Sequence, residues 1–192
     1  MEPPMITNQA VITRRTAIGA GGAGLVGLLL FPGRVMAQGK AVPKNPFVVL
    51  LKGRYQPVVH GPNLGLSMVD LNDGTYSTVK IYPVSGIPGN ENKAVGSFYA
   101  RFDEKLDPLC AYRIPGGSIA MKFTKDSTVP VDDGKGGKFF VGTLKLDILE
   151  ATGIYRSFVG GHNRMVDKVH LLKPGDGSGG ADEYCFCIIS RP

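Results

Sequence analysis

The stretch T-L-K-L-D-I-L-E-A-T-G-I-Y-R-S-F-V-G-G-H-N-R-M-V-D-K-V-H-L-L, residues 143–172, decides how this chain is read. Its first part alternates. Together with Phe140, the side chains of Leu144, Leu146 and Ile148 point one way and those of Lys145 and Asp147 the other, which is a strand with one wet face. Gly153 and the pair Gly160-Gly161 then punctuate the chain before the next strand begins at Arg164. Glycine tolerates the positive φ that ends one strand and the reversal that starts the next, so this is strand, turn, strand.

Working outward, the same grammar recurs over the whole chain after residue 46. Short β-branched, aromatic and aliphatic runs stand between Gly, Pro, Asn and Asp, which predicts strands near 47–55, 65–71, 75–83, 95–103, 108–114, 117–124, 138–149, 164–172 and 183–190. Asn72-Asp73-Gly74 and Pro115-Gly116-Gly117 read as hairpin loops, 132–137 as a Gly- and Asp-rich connector, and 173–181 as a flexible loop. No apolar period of 3.6 is sustained, so little helix is expected. Nine runs suffice to close a small antiparallel barrel, and the expected class is all-β, a barrel of about eight strands over residues 47–192 behind a leader, 38–46.

The first 37 residues are of another kind. A polar start, Arg14-Arg15, an uncharged Gly/Ala/Leu run over 16–31 and Val35-Met36-Ala37 follow the order of a cleavable export signal. The run contains five glycines, too short and too mild for a comfortable membrane span. Paired arginines before such a run resemble the twin-arginine signal, which implies recognition of Arg14 and Arg15 by the twin-arginine translocase and cleavage between Ala37 and Gln38. A Sec signal or an uncleaved anchor is the alternative, and Arg34 beside Pro32 disfavours Sec. The expected location is periplasmic or secreted, with no membrane span after cleavage.

Composition narrows the partners. Taking Arg14, Arg15 and Arg34 from the 22 basic residues and Glu2 from the 16 acidic ones leaves a net charge of +4. Without a Lys/Arg cluster that is a solubility charge and no argument for nucleic acid. Cys185 and Cys187, two apart on a strand, share a face and are poorly placed to bond each other. A disulfide from Cys110 to Cys185 or to Cys187 is one reading, and three buried free thiols are the other. His60, His162 and His170 have no paired spacing, so no metal is expected. No Ser-His-Asp signature, phosphate loop or redox C-x-x-C is present.

Within the quoted stretch Thr152, Gly153, Tyr155 and Gly160 form T-G-x-[FY]-x-x-x-x-G, which resembles the turn between two late strands of the allene oxide cyclase and dirigent proteins. Gly96-Ser97-Phe98-Tyr99 and residues 112–121 resemble the paired strands before that turn, and 184–189 the closing strand. The resemblance implies an eight-stranded antiparallel barrel around an apolar cavity, with Tyr155 plugging its bottom. It also implies a small hydrophobic ligand, no cofactor, cyclase or isomerase chemistry, and a homodimer or homotrimer. The plant cyclases use a carboxylate and an amide near the first strand. Here 47–55 offers Lys52 and Arg54 instead, so no catalytic residue is carried over.

Candidate ligand contacts come from strand alternation. Along 95–103, Val95, Ser97, Tyr99 and Arg101 share one face and Phe98, Ala100 and Phe102 the other. If the first face looks inward, Tyr99 and Arg101 supply a hydrogen-bond donor and a cation for a carboxylate or enolate. Tyr112 and Tyr184 are further candidates of the same kind, and Glu150 stands at a strand end by the barrel mouth. The function expected is binding of a small apolar molecule, with or without its isomerisation. The competing expectation is a non-catalytic exported carrier or a cell-envelope scaffold.

Overall fold

A computed structural model describes residues 42–101, 109–171 and 181–192. The signal region, with Arg14, Arg15, Ala37 and Gln38, lies outside the described residues, as do Phe102, Asp103 and Pro108. Nine strands are described: β1 (Phe47–Pro57), β2 (Tyr76–Ser85), β3 (Gly96–Arg101), β4 (Leu109–Ile114), β5 (Gly117–Asp126), β6 (Val129–Asp132), β7 (Lys138–Ala151), β8 (His162–Leu171) and β9 (Ala181–Ser190). A six-residue 3-10 turn, Gly153–Phe158, joins β7 to β8.

Every pairing is antiparallel, and the order β5-β4-β3-β2-β1-β9-β8-β7 is closed by β5 against β7. The result is a closed eight-stranded barrel, with β6 outside it on the first half of β7. Closure leaves those eight strands without an open edge.

Two sequence expectations are corrected here. Residues 65–71 form no strand. Leu64, Val69 and Leu71 instead bury their side chains against Tyr76, Tyr99, Ala111 and Ala120 on the outer wall, so 58–75 is a strap across the barrel. Strand β6, by contrast, carries no sequence signal, because all four of its residues are exposed and Pro130 sits among them.

The turn at 152–161 has the geometry its residues ask for. Gly153 has φ +59°, and a Cβ there would run into the Gly116 carbonyl. Tyr155 is fully buried, donates from its hydroxyl to the Pro115 carbonyl at 3.0 Å, and packs with Phe158 against Phe47. With Ile119, Ile148 and Ile189 these rings fill one end of the barrel solidly. The opposite end is where the interior opens.

Candidate functional site

The hollow end has a volume of about 460 Å³. Phe98 from β3, Phe123 from β5, Phe140 and Leu144 from β7, and Met165 and Val169 from β8 make its walls apolar. Six polar side chains line it, of which Tyr55 of β1, Asp167 of β8 and Glu183 of β9 are buried, while Arg101, Asp126 and Thr128 are more exposed. The two buried carboxyls are there by strand parity. Asn163, Met165, Asp167 and Val169 alternate inward on β8, as Ala181, Glu183, Cys185, Cys187 and Ile189 do on β9. In register Asp167 faces Cys185 and Glu183 faces Val169, which makes the two acids diagonal neighbours on one face.

Tyr55 arrives through an irregularity in β1. Lys52 pairs with Lys80 and Gln56 with Thr78, so four steps along β1 span two along β2, and Gly53 takes φ +124°. Such bulges re-aim a side chain at a barrel rim.

The electrostatics of the pair follow from burial. Desolvation is the main cause that drives Glu183 far above the usual carboxyl range, to about 10; the Asp167 charge adds to it, and a hydrogen bond from Tyr55 opposes it. Asp167 is also raised, first by desolvation, while its bond with Glu183 pulls it down. Glu183 therefore keeps a proton and donates it to Asp167, and the pair titrates as one unit. Asp167 Oδ1 is buried and meets no donor at hydrogen-bond distance among the described residues. Tyr55 is pushed well above its ordinary range, first by burial and then by the negative charge that builds on Glu183 and Asp167 as the pair ionises, so it stays a phenol and a donor.

A carboxylic acid beside a carboxylate in an apolar hollow is a proton donor and a proton acceptor side by side. One ligand atom each from Asp167, Glu183 and Cys185 lies within 4.8 Å of the others, so the same trio could also hold a divalent ion. Below them a second polar pair is buried, where Asn163 Nδ2 donates to the Tyr112 hydroxyl at 2.8 Å. Cys110, Cys185 and Cys187 are free, buried thiols, with Cys185 and Cys187 Sγ 3.8 Å apart.

The residues singled out from the sequence scatter around this site. Tyr112 is inside the barrel, fully buried in the layer beneath the hollow. Arg101 reaches the mouth and holds its guanidinium 5.7 Å from the centre of the Tyr76 ring. Tyr99 and Tyr184 do not line the lumen. On β3 it is Phe98 and Ala100 that face inward, so Tyr99 packs under the strap, while Tyr184 stands on the outer wall, 46% exposed.

Glu150 is engaged elsewhere, accepting from Ser67 N and Oγ at 2.9 Å and from Met68 N at 3.2 Å. His162 and His170 pair with Asp147 and Asp133 at 2.8 and 2.7 Å, and His60 sits in a loop. Sequence reasoning missed Asp167, Glu183 and Tyr55. A signal for the acids existed, a charge on the apolar parity of each strand.

A larger hollow of about 750 Å³ lies on the outer wall, but its described lining brings no buried acid pair together, so the lumen is the candidate for proton-transfer chemistry. Among known proteins, no family model, no curated protein and no solved structure matches this chain.

Proposed function

We propose that this is an exported barrel that binds a small hydrophobic molecule in the hollow end of its lumen and isomerises or cyclises it by proton transfer, without a cofactor. The observation that carries the reading is the pair of buried carboxyls, Glu183 diagonal to Asp167, inside an apolar cavity of about 460 Å³. Glu183 would give its proton to one atom of the bound molecule while the Asp167 carboxylate accepts one from another, and the Tyr55 phenol would support a developing oxyanion. The filled opposite end, sealed by Tyr155, supports a one-mouthed pocket of the kind the allene oxide cyclase and dirigent proteins use.

The test is native mass spectrometry of protein purified from the periplasm of an exporting host, followed by extraction of whatever apolar molecule travels with it. Retention by the parent and by Glu183→Gln, with loss in Val169→Trp, supports the lumen as the binding site. Conversion of the extracted molecule by the parent and not by Glu183→Gln supports catalysis. An empty lumen in all three removes the reading.

A second reading, a non-catalytic scaffold or homodimer, is favoured by the outer face of β8 and β9. Val166, Tyr184, Phe186 and Ile188 are each between 38 and 54% exposed there and form one apolar row. Sedimentation of the mature chain separates the readings, since a face that mates with a second copy makes Phe186→Lys monomeric.

A further inference from the structure

The outer hollow lies between the strap and the β4–β5 hairpin. Register explains its chemistry. Lys80 of β2, Ser97 of β3, Arg113 of β4 and Ser118 of β5 line it, and Ser97 faces Lys80 on one side and Arg113 on the other, while Arg113 faces Ser118. Side chains at one level of neighbouring strands project from one face, so the row runs straight across four strands on the outside of the barrel. Both cations are exposed, and neither makes an ion pair with any described residue. Among the described residues no carboxylate lines the groove.

The floor adds a second, independent sign. Tyr99 lines the groove while 94% of the residue is buried, with its ring packed under the strap. No described group makes a hydrogen bond with its hydroxyl. The ring is packed while the hydroxyl oxygen still opens on the groove, which fixes a donor in place for a ligand there. The backbone walls are close. A Cβ on Gly96 would meet the Arg113 carbonyl and one on Gly117 the Thr152 carbonyl, so small residues keep the groove open at its hairpin end. Leu64, Val95 and Ile114 supply apolar surface beside the cations.

We propose that this groove is a second binding site, for a small molecule that carries a carboxylate or phosphate oxyanion on a compact apolar body. Lys80 and Arg113 hold the oxyanion, the Arg113 fork by two parallel hydrogen bonds, and the Tyr99 hydroxyl donates from below. The apolar body lies against Leu64 and Val95. The site is separate from the lumen and does not depend on proton transfer there. A phosphate on this wall has two possible sources, a free molecule or a lipid headgroup, and the chemistry of recognition is the same for both.

The test is an amide NMR titration of the mature chain with phenyl phosphate at low salt, read at Gly96, Gly116 and Gly117. Saturable shifts at these amides are expected, with the dissociation constant raised about tenfold in Arg113→Gln and about threefold in Tyr99→Phe. They vanish in the Lys80→Gln/Arg113→Gln double variant, whose two surface changes leave the fold intact. Phosphatidylglycerol vesicles form the second arm. Co-sedimentation that the double variant abolishes assigns the anion to a headgroup, and shifts with phenyl phosphate but no co-sedimentation assign it to a soluble molecule. Absent shifts, or shifts that the double variant retains, overturn the proposal.

Discussion

Asp167 and Glu183 meet inside the barrel from two neighbouring strands and share one proton in a space walled by phenylalanine, leucine, methionine and valine. Like charges this close do not readily both ionise in a poorly solvated hollow, so the proton on Glu183 is held up to about pH 10.

That relationship sets the pH dependence of stability. Glu183 binds its proton up to about pH 10 in the folded state and loses it in the ordinary carboxyl range when unfolded. Across that window the native state holds more protons than the unfolded one, so stability is highest on the acid side and falls as pH rises. Thermal melts from pH 5 to pH 9 are expected to show a declining midpoint. Glu183→Gln, which keeps the shape and a donor, flattens the decline and melts higher than the parent at pH 9 by about 4 °C or more. A parent midpoint that rises with pH in this range contradicts the shared proton.

Beneath the dyad, Asn163 Nδ2 donates to the Tyr112 hydroxyl in full burial, while Asn163 Oδ1 has no partner among the described residues. Tyr112→Phe removes the oxygen that accepts from the Asn163 amide, leaving it only the weak acceptor Met121 Sδ at 3.7 Å, and is expected to cost about 1–3 kcal/mol in urea denaturation. Asn163→Leu/Tyr112→Phe should cost less than the sum of the two single changes, because the second substitution removes a group that the first left unpaired. Additive losses would mean that the hydrogen bond contributes nothing.

Much of the fold was legible because local chemistry and global topology agree. The 143–172 stretch declares its turn through Gly153 and Gly160, and Pro115-Gly116 declares the β4–β5 hairpin, where Ile114 pairs with Gly117. The lumen-facing side was not legible. On β9 the outward set Tyr184, Phe186 and Ile188 is as apolar as the inward set Cys185, Cys187 and Ile189, so parity alone cannot choose. Nothing in the pattern then separates Glu183 on the inward set from an ordinary surface acid. Residues 65–71 misled for a related reason. Their apolar side chains do bury, but against the outside of the wall, and no neighbouring strand takes up their backbone. Closure of β5 onto β7 past β6 is a long-range pairing that no local pattern announces.

The strap is tied down at a single carboxylate. Burial disfavours the Glu150 charge, yet the hydrogen bonds from Ser67 and Met68 outweigh that and hold its pKa below the usual value. A group with a lowered folded pKa contributes stability above its unfolded value and loses it as pH falls through the folded one. Hydrogen exchange at the Ser67 and Met68 amides is therefore expected to lose protection selectively as the pH falls below the ordinary carboxyl range. Glu150→Ala should speed exchange there about tenfold or more at pH 7, with the barrel amides unchanged. Equal protection in the variant would show that burial of Leu64, Val69 and Leu71 alone holds the strap.

Gly153 offers the sharpest test of why the filled end forms. Its φ of +59° disfavours any side chain, and the Gly116 carbonyl occupies the space a Cβ would need. Relief requires moving either the β4–β5 hairpin or the 3-10 turn that carries Tyr155, and both are fixed by the bond from the Tyr155 hydroxyl to Pro115. Gly153→Ala is thus expected to cost about 3 kcal/mol, well beyond the ~1 kcal/mol of left-handed strain alone. Gly74→Ala separates the two contributions. That glycine has φ +73° with nothing within 4 Å of the added methyl, so it carries the strain without the collision. Urea melts of the two variants should differ by about 2 kcal/mol; equal losses would mean that the hairpin yields freely and that the turn does not lock the barrel's closed end.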